Sequence, residues 1–141
     1  MHPLRMPRAR HVALVGAVVV SLSGCGAASL EPAARDAAVS FVREASSDPG
    51  RACGQLVDPT RKAVEQTDPS GDCATALRKT KLAQGADVVR TTVQGHSAEV
   101  VLRDDIVFLS LFRDGWRVMA AGCRRTSQDL AQPADCEISG G

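Results

Sequence analysis

The chain has 141 residues, of which 44% are hydrophobic and 23% are charged, and its formal net charge is +1. A chain of this length forms one compact domain, which excludes a multidomain enzyme. The balanced charge and the ordinary glycine and proline contents exclude a basic nucleic-acid-binding tail, a collagen-like repeat and an intrinsically disordered chain. Composition leaves one feature to explain, the odd number of five cysteines.

The N-terminal segment has the organisation of an export signal. Arg5, Arg8 and Arg10 precede an apolar run over residues 12–22. This run is shorter than the roughly 20 residues that a transmembrane helix needs. It ends in the tetrapeptide Leu22-Ser23-Gly24-Cys25. The tetrapeptide resembles the bacterial lipobox, in which the cysteine sulfur receives a diacylglyceryl group and the peptide is then cut before that cysteine.

We therefore predict a lipoprotein signal peptide over residues 1–24 and a lipidated, weakly structured tether over residues 25–31. The alternative is an ordinary secretory signal that leaves Cys25 as a free thiol. Two acyl chains hold a protein on a bilayer stably, whereas one chain holds it marginally. Cys25 is thus the predicted membrane anchor, with the protein at the extracytoplasmic side of the cell membrane.

The other four cysteines predict two disulfides within the domain of residues 32–141. Exported proteins meet an oxidising compartment, and a small core gains stability from cross-links. Of the three possible connectivities we favour Cys53 with Cys73 and Cys123 with Cys136, which close loops of about 20 and 14 residues. The alternative is a structural zinc site, but the sequence lacks the close cysteine spacing of such sites. We expect no metal and no cofactor.

The first half of the domain has helical periodicity. Apolar residues recur at intervals of three and four from Pro32 to Ser46, which predicts an amphipathic helix. Two turn-forming stretches, at residues 48–50 and 67–71, interrupt the pattern. Between and after them we predict a short helical turn around Cys53, a helix with Asp58 as its N-cap, and a helix capped by Asp72.

After residue 85 the period changes from helical to alternating. Strands are predicted at residues 87–93, 97–103, 106–112 and 116–120, with a short edge strand at 137–139. Residues 106–112 are apolar except for Ser110, which predicts a strand buried on both faces or covered by helices. Helices followed by an antiparallel meander of about four strands predict an α+β fold, with the helices on one face of the sheet.

One part of this meander resembles a known group of proteins. The residues that carry the resemblance are Val107-Phe108-Leu109, Phe112-Arg113-Asp114-Gly115-Trp116-Arg117-Val118, Ala120-Ala121-Gly122-Cys123 and Asp135-Cys136. They are similar to small actinobacterial lipoproteins, and with the preceding helices they look like the nuclear transport factor two-like (cystatin-like) superfamily. The resemblance implies a cone-shaped α+β domain over residues 32–138. It implies little about activity, because that fold hosts isomerases, dehydratases, cyclases and many binding proteins.

Aromatic residues provide the candidate ligand site. Phe41, Phe108, Phe112 and Trp116 are the only aromatic residues of the chain. The simplest interpretation places them in the core between the first helix and the sheet. The alternative is an apolar pocket in the cone, lined by Phe41, Leu102, Phe108, Phe112 and Trp116, which takes a small hydrophobic ligand.

Candidate catalytic residues are few. His96 lies in a predicted hairpin turn, where a histidine is usually solvated. Asp104 and Asp105 are adjacent in a second turn and are interpreted as solvated. Arg124 and Arg125 could contact anionic lipid or a partner protein, although arginines at a strand end are more often solvated. We therefore predict no catalytic residue.

These observations predict a membrane-anchored lipoprotein that acts as a non-enzymatic binding or accessory module. Its partners are the membrane, through the lipid on Cys25, and either an envelope protein or a small apolar ligand. The alternative is an apolar-pocket carrier or a degenerate enzyme of the nuclear transport factor two-like superfamily. No nucleic-acid partner is expected, because cleavage of the basic signal leaves a slightly acidic domain.

Overall fold

The structure is a computed structural model that describes residues 27–129 and 131–141. Cys25 and the predicted signal peptide lie outside these residues. The helices are α1 (Ala27–Ser47), α2 (Pro49–Gln55), α3 (Asp58–Gln66) and α4 (Cys73–Lys79). The strands are β1 (Val88–Gln94), β2 (Ser97–Leu102), β3 (Ile106–Phe112), β4 (Gly115–Arg124) and β5 (Asp135–Ser139).

The predicted α+β fold is confirmed. The strands form one antiparallel sheet in the order β1-β2-β3-β4-β5, a simple meander. Over the described residues the sheet has five strands rather than about four, because β5 pairs with the C-terminal half of β4. Within this part of the chain no helix is both long and apolar enough to cross a membrane.

Helix α1 differs from the prediction at its start. It begins at Ala27 and contains Pro32, whereas the sequence predicts a helix from Pro32 and a weakly structured tether before it. Proline removes one backbone donor but does not forbid helix before or after it, and the small residues 27–29 are compatible with a helix. A helix rises about 1.5 Å per residue instead of the roughly 3.3 Å of extended chain, so residues 27–31 reach less far than predicted.

The short helices begin at caps. The Asp48 carboxylate accepts a hydrogen bond from the Arg51 N–H at 3.2 Å, and the Asp72 carboxylate accepts one from the Thr75 N–H at 2.8 Å. These bonds satisfy free donors in the first turns of α2 and α4. Asp58 is the first residue of α3 and not its N-cap, a position that Val57 occupies without a side-chain hydrogen bond.

Both predicted disulfides are present. Cys53–Cys73 joins α2 to α4, and Cys123–Cys136 joins directly paired residues of β4 and β5. The first bridge holds two helices of the layer together, and the second attaches the edge strand. Each of these four sulfurs is bonded to its partner in one of the two disulfides, so none is available as a zinc thiolate.

The core lies between the helices and one face of the sheet, which we call the inner face. Its members are buried apolar side chains from both layers, including Phe41, Leu77, Val100, Leu102, Val107 and Leu109. Side chains along a strand alternate between the faces, so the neighbours of these residues point the other way. Of the two arrangements predicted for β3, burial on both faces or a cover of helices, the structure shows helices over one face, while on the other face Phe108 is half-buried and Phe112 is exposed.

Candidate functional site

The sheet face turned away from the core, which we call the outer face, holds the candidate site. Strand pairing places Thr92, Glu99 and Phe108 side by side on β1, β2 and β3. Further along β3, the outward positions are Ser110 and Phe112. Two open grooves lie on this face, and β3 contributes side chains to both.

The first groove, which we call the Phe112 groove, has a volume of about 680 Å³. It is lined by Val57, Asp58, Pro59, Ser110, Phe112, Asp114, Arg117 and Met119. Three elements meet here: the start of α3, the end of β3 and the start of β4. The groove is open to solvent on the outer face.

Hydrogen bonds attach the helix layer to the sheet at this groove. The Val57 N–H donates to the Val118 carbonyl at 2.9 Å, and the buried Thr60 hydroxyl donates to the Met119 carbonyl at 2.6 Å. Leu56 and Val118 also form a parallel bridge. These contacts occupy the edge of β4 and place Pro59 beside Met119 in the groove lining.

A β-bulge contributes to the position of Met119. Leu109 pairs with Val118, but the preceding residue of β3, Phe108, pairs with Ala120, so Met119 is an extra residue of β4. Bulges of this kind bend a strand and redirect a side chain. The Ser110 hydroxyl lies 2.7 Å from the Met119 sulfur, which holds the thioether on the outer face.

The Phe112 groove combines exposed apolar surface with charge. Phe112 is 49% exposed and Met119 is 42% exposed. Arg117 donates to the Asp114 carboxylate, and this hydrogen bond lowers the pKa of Asp114 below its ordinary value. Asp58 pairs with Arg61 at 3.2 Å outside the lining. The lining itself, with two carboxylates and one guanidinium, has a net negative charge.

The second groove, which we call the Glu99 groove, has a volume of about 540 Å³. It is lined by Arg90, Thr92, Gln94, Ser97, Ala98, Glu99, Phe108 and Arg125. Glu99 lies between the two arginines: Arg90 Nη2 is 3.0 Å from one carboxylate oxygen, and Arg125 Nη2 donates to the other. Two guanidinium groups and one carboxylate give this lining a net positive charge.

The five residues predicted to line one apolar pocket are not brought together. Phe41 and Leu102 are buried core residues on the inner side, and Trp116 packs against the same core. Phe108 and Phe112 lie on the outer face, in the Glu99 groove and the Phe112 groove respectively. The reason is the alternation of β3, which points Phe108 and Phe112 away from its inward neighbours.

Asp105 is buried, contrary to the prediction of a solvated turn. Only 4% of the residue is exposed. One carboxylate oxygen accepts a hydrogen bond from the Cys123 N–H at 3.0 Å, while the other has no partner among the described residues. Burial raises the pKa of Asp105 above its ordinary value, and the hydrogen bond from the Cys123 N–H opposes that rise.

The neighbouring Gly122 explains the approach of Asp105 to β4. Gly122 has a φ of 68°, and a Cβ there would lie 2.6 Å from the Cβ of Glu137. Only glycine fits this conformation and this spacing. The resulting bulge presents the Cys123 N–H to Asp105. Local sequence does not reveal this partnership, because 18 residues separate its members.

Of the remaining candidates, two are exposed and one is partly buried. His96 is exposed in the turn between β1 and β2, where the sequence places it, and Arg124 is exposed at the end of β4. Arg125 is engaged with Glu99, a partner that the sequence analysis missed. Among the described residues, no group of three histidine, cysteine, aspartate or glutamate side chains is placed to hold a metal ion.

Comparisons with family models, with curated proteins and with solved structures found no match to this chain. The resemblance to actinobacterial lipoproteins and to the nuclear transport factor two-like superfamily therefore stays a prediction. The lipobox also stays a prediction, because Cys25 lies outside the described residues.

Proposed function

We propose that this protein is a membrane-anchored, exported, non-enzymatic binding module. The basic and apolar N-terminal segment ending at Cys25 supports export and lipid attachment. The two disulfides of the domain are typical of an oxidising compartment. In this proposal the domain acts close to the membrane surface, because a single residue, Gly26, separates Cys25 from the first residue of α1.

One observation carries the binding role: two large, exposed apolar side chains line the Phe112 groove. Phe112 and Met119 share this open groove of the outer face with Pro59 at the start of α3. Clustered exposed apolar side chains bordered by charged residues mark interaction sites more often than scattered ones do. Methionine also adapts its shape to different partners.

The proposed occupant is a peptide segment of an envelope protein that places an apolar side chain beside a lysine or arginine. The apolar side chain would pack on Phe112 and Met119, and the basic one would face Asp58 and Asp114, which are both largely exposed. Because Leu56 and Val57 already occupy the β4 edge, the segment inserts side chains and does not add a strand there. A small-molecule carrier has less support, since the five predicted pocket residues lie apart.

Site-specific photocrosslinking in the membrane-bound full-length protein tests this proposal. A photoreactive residue replaces Phe112, and in a matched control it replaces Val89, another exposed apolar residue, which lies on β1 outside both grooves. We expect a discrete protein adduct from position 112 and none from position 89. Equal adducts from the two positions would contradict a site at the groove.

The crosslinked segment then serves as a synthetic peptide probe. We expect it to contain an apolar residue next to a basic one and to bind the purified protein. Phe112→Asp should weaken this binding at least about tenfold, which corresponds to loss of an apolar anchor, while Val89→Asp leaves it unchanged. A peptide that binds both variants equally would overturn the proposal.

A further inference from the structure

We infer that the Glu99 groove is a second binding site, for a ligand that carries a phosphate or carboxylate group next to an apolar part. This site lies on the other half of the outer face. It shares no lining residue with the Phe112 groove and does not depend on the function proposed above.

Glu99 orients the guanidinium groups of Arg90 and Arg125 but does not use all of their hydrogen-bond donors. Each donates to a different oxygen of the Glu99 carboxylate through its Nη2. Over the described residues, Glu99 is the one side chain with which either guanidinium forms an ion pair or hydrogen bond. A guanidinium has five N–H donors, so both groups keep donors for a further acceptor. The arrangement therefore holds two arginine forks in place for an anion.

Charge and burial favour an anionic ligand. The two arginines and Glu99 leave one positive charge in the groove. Only 17% of the Glu99 side chain is exposed, and Arg125 is also largely covered, so water screens this charge less than on an open surface. Arginine matches phosphate and carboxylate oxygens in pairs, and donors fixed in advance lose little entropy on binding.

The rest of the lining indicates what is attached to the anion. Thr92, Glu99 and Phe108 lie in one row across three strands, so an aromatic ring lies directly beside the charge cluster. Thr92, Gln94 and Ser97 add hydroxyl and amide groups. A ligand with an apolar part on Phe108 and an oxyanion on the arginines would use both surfaces at once.

Calorimetric titration of the full-length chain carrying Cys25→Ser, which prevents lipid attachment at that position, tests this inference. The probes are inorganic phosphate, phenyl phosphate and a short-chain phosphatidylglycerol below its micelle concentration. We expect phenyl phosphate to bind more tightly than inorganic phosphate. Added affinity for the short-chain lipid would identify a lipid headgroup as the source, and its absence would identify a soluble ligand.

Arg90→Ala is the main variant, because Arg90 is 63% exposed and its loss leaves Arg125 paired with Glu99, so the fold is retained. We expect it to weaken phenyl phosphate binding about tenfold or more. The matched control is Arg103→Ala, an exposed arginine paired with Asp87 outside the groove, which should leave binding unchanged. Thermal unfolding of both variants confirms that they are folded.

Glu99→Gln separates binding from a structural role. Gln keeps an acceptor for one arginine and removes the charge that repels an anion, so we expect tighter binding of phenyl phosphate. If the arginines served only to neutralise Glu99, the wild type would not bind phenyl phosphate, and only this variant, whose arginines have lost their counter-ion, would bind it. That result, absence of binding by every probe, or equal weakening by Arg90→Ala and Arg103→Ala would each overturn the inference.

Discussion

The two faces of strand β3 carry apolar side chains in very different surroundings. Val107 and Leu109 are buried in the same core cluster as Phe41 of α1. Phe108 and Phe112, between and beyond them in sequence, lie in open grooves on the outer face. Since the helices contact one face, the inner residues stabilise the fold, and the outer residues are free to contact a ligand. Side chains that pack in the core and side chains that line the open grooves therefore alternate along one strand.

The outer face is itself divided. The Phe112 groove is bordered by a net negative charge and presents apolar surface, whereas the Glu99 groove is positive and presents hydrogen-bonding groups around one aromatic ring. Ligands of opposite charge would be sorted between the two grooves. Strand β3 contributes to both grooves. Its two outward phenylalanines have different surroundings because Phe108 pairs with Glu99 of β2, whereas Phe112 pairs with Gly115 of β4.

The largest expected effect tests the difference between the two faces of β3. Leu109→Ala should lower the free energy of unfolding by about 2–5 kcal/mol, because it removes a fully buried side chain and leaves a cavity. Phe112→Ala should lower it by less than about 1 kcal/mol, since half of that ring is already in water. Chemical denaturation with both disulfides intact measures both values. A large loss in Phe112→Ala would mean that the outer face is covered.

Much of the fold could be predicted from local sequence. Turn residues at Gly95 and Asp114-Gly115 mark hairpins, and both glycines have the positive φ that such turns require. The even set of four cysteines in the domain and the short loops favoured the disulfide pairing that is observed. The predicted start of α1 at Pro32 is wrong, because the helix begins at Ala27 and includes this proline.

The candidate site was harder to predict, because its geometry depends on contacts between distant segments. The apolar sequence of β3 does not say which face the helices cover. The neighbouring strand β2 indicates which face is covered, because apolar Ala98 and Val100 alternate with charged Glu99. Glu99 pairs with Phe108, so Phe108 lies on the uncovered face. The contact of Arg125 with Glu99 spans 26 residues and has no local signature.

The next effect, intermediate in size, concerns Asp105 at the end of the sheet. Its pKa is raised from 3.8 by burial, so ionisation costs stability in the folded state. A raised pKa means that stability is complete below pH 3.8 and is lost as the pH rises through the folded-state pKa. Asp105→Asn should remove this part of the pH dependence. The control is Asp104→Asn, at the exposed neighbouring carboxylate, which should leave the pH dependence of the free energy of unfolding unchanged. Chemical denaturation at a series of pH values from about 3 to 7 measures both variants.

The smallest effect concerns Asp68, between α3 and α4 in the helix layer, and it has the opposite sign. Lys79 donates to its carboxylate, and the Ser70 hydroxyl and N–H donate at 2.7 and 3.0 Å. These bonds lower the pKa of Asp68 from 3.8 to about 2. The stability that they provide is therefore present above pH 3.8 and is lost as the pH falls toward 2.

Asp68→Asn should flatten the loss of stability between pH 4 and pH 2, while Asp36→Asn, at an exposed carboxylate of α1, should not. The effect is small because Lys79 is largely exposed and its attraction to Asp68 is screened by water and salt. We expect Asp68→Asn to change the pH dependence of the free energy of unfolding only below pH 3.8, and Asp105→Asn to change it only above pH 3.8. If one variant removed the pH dependence in both ranges, the ionisations of Asp68 and Asp105 would be coupled, which would contradict this prediction.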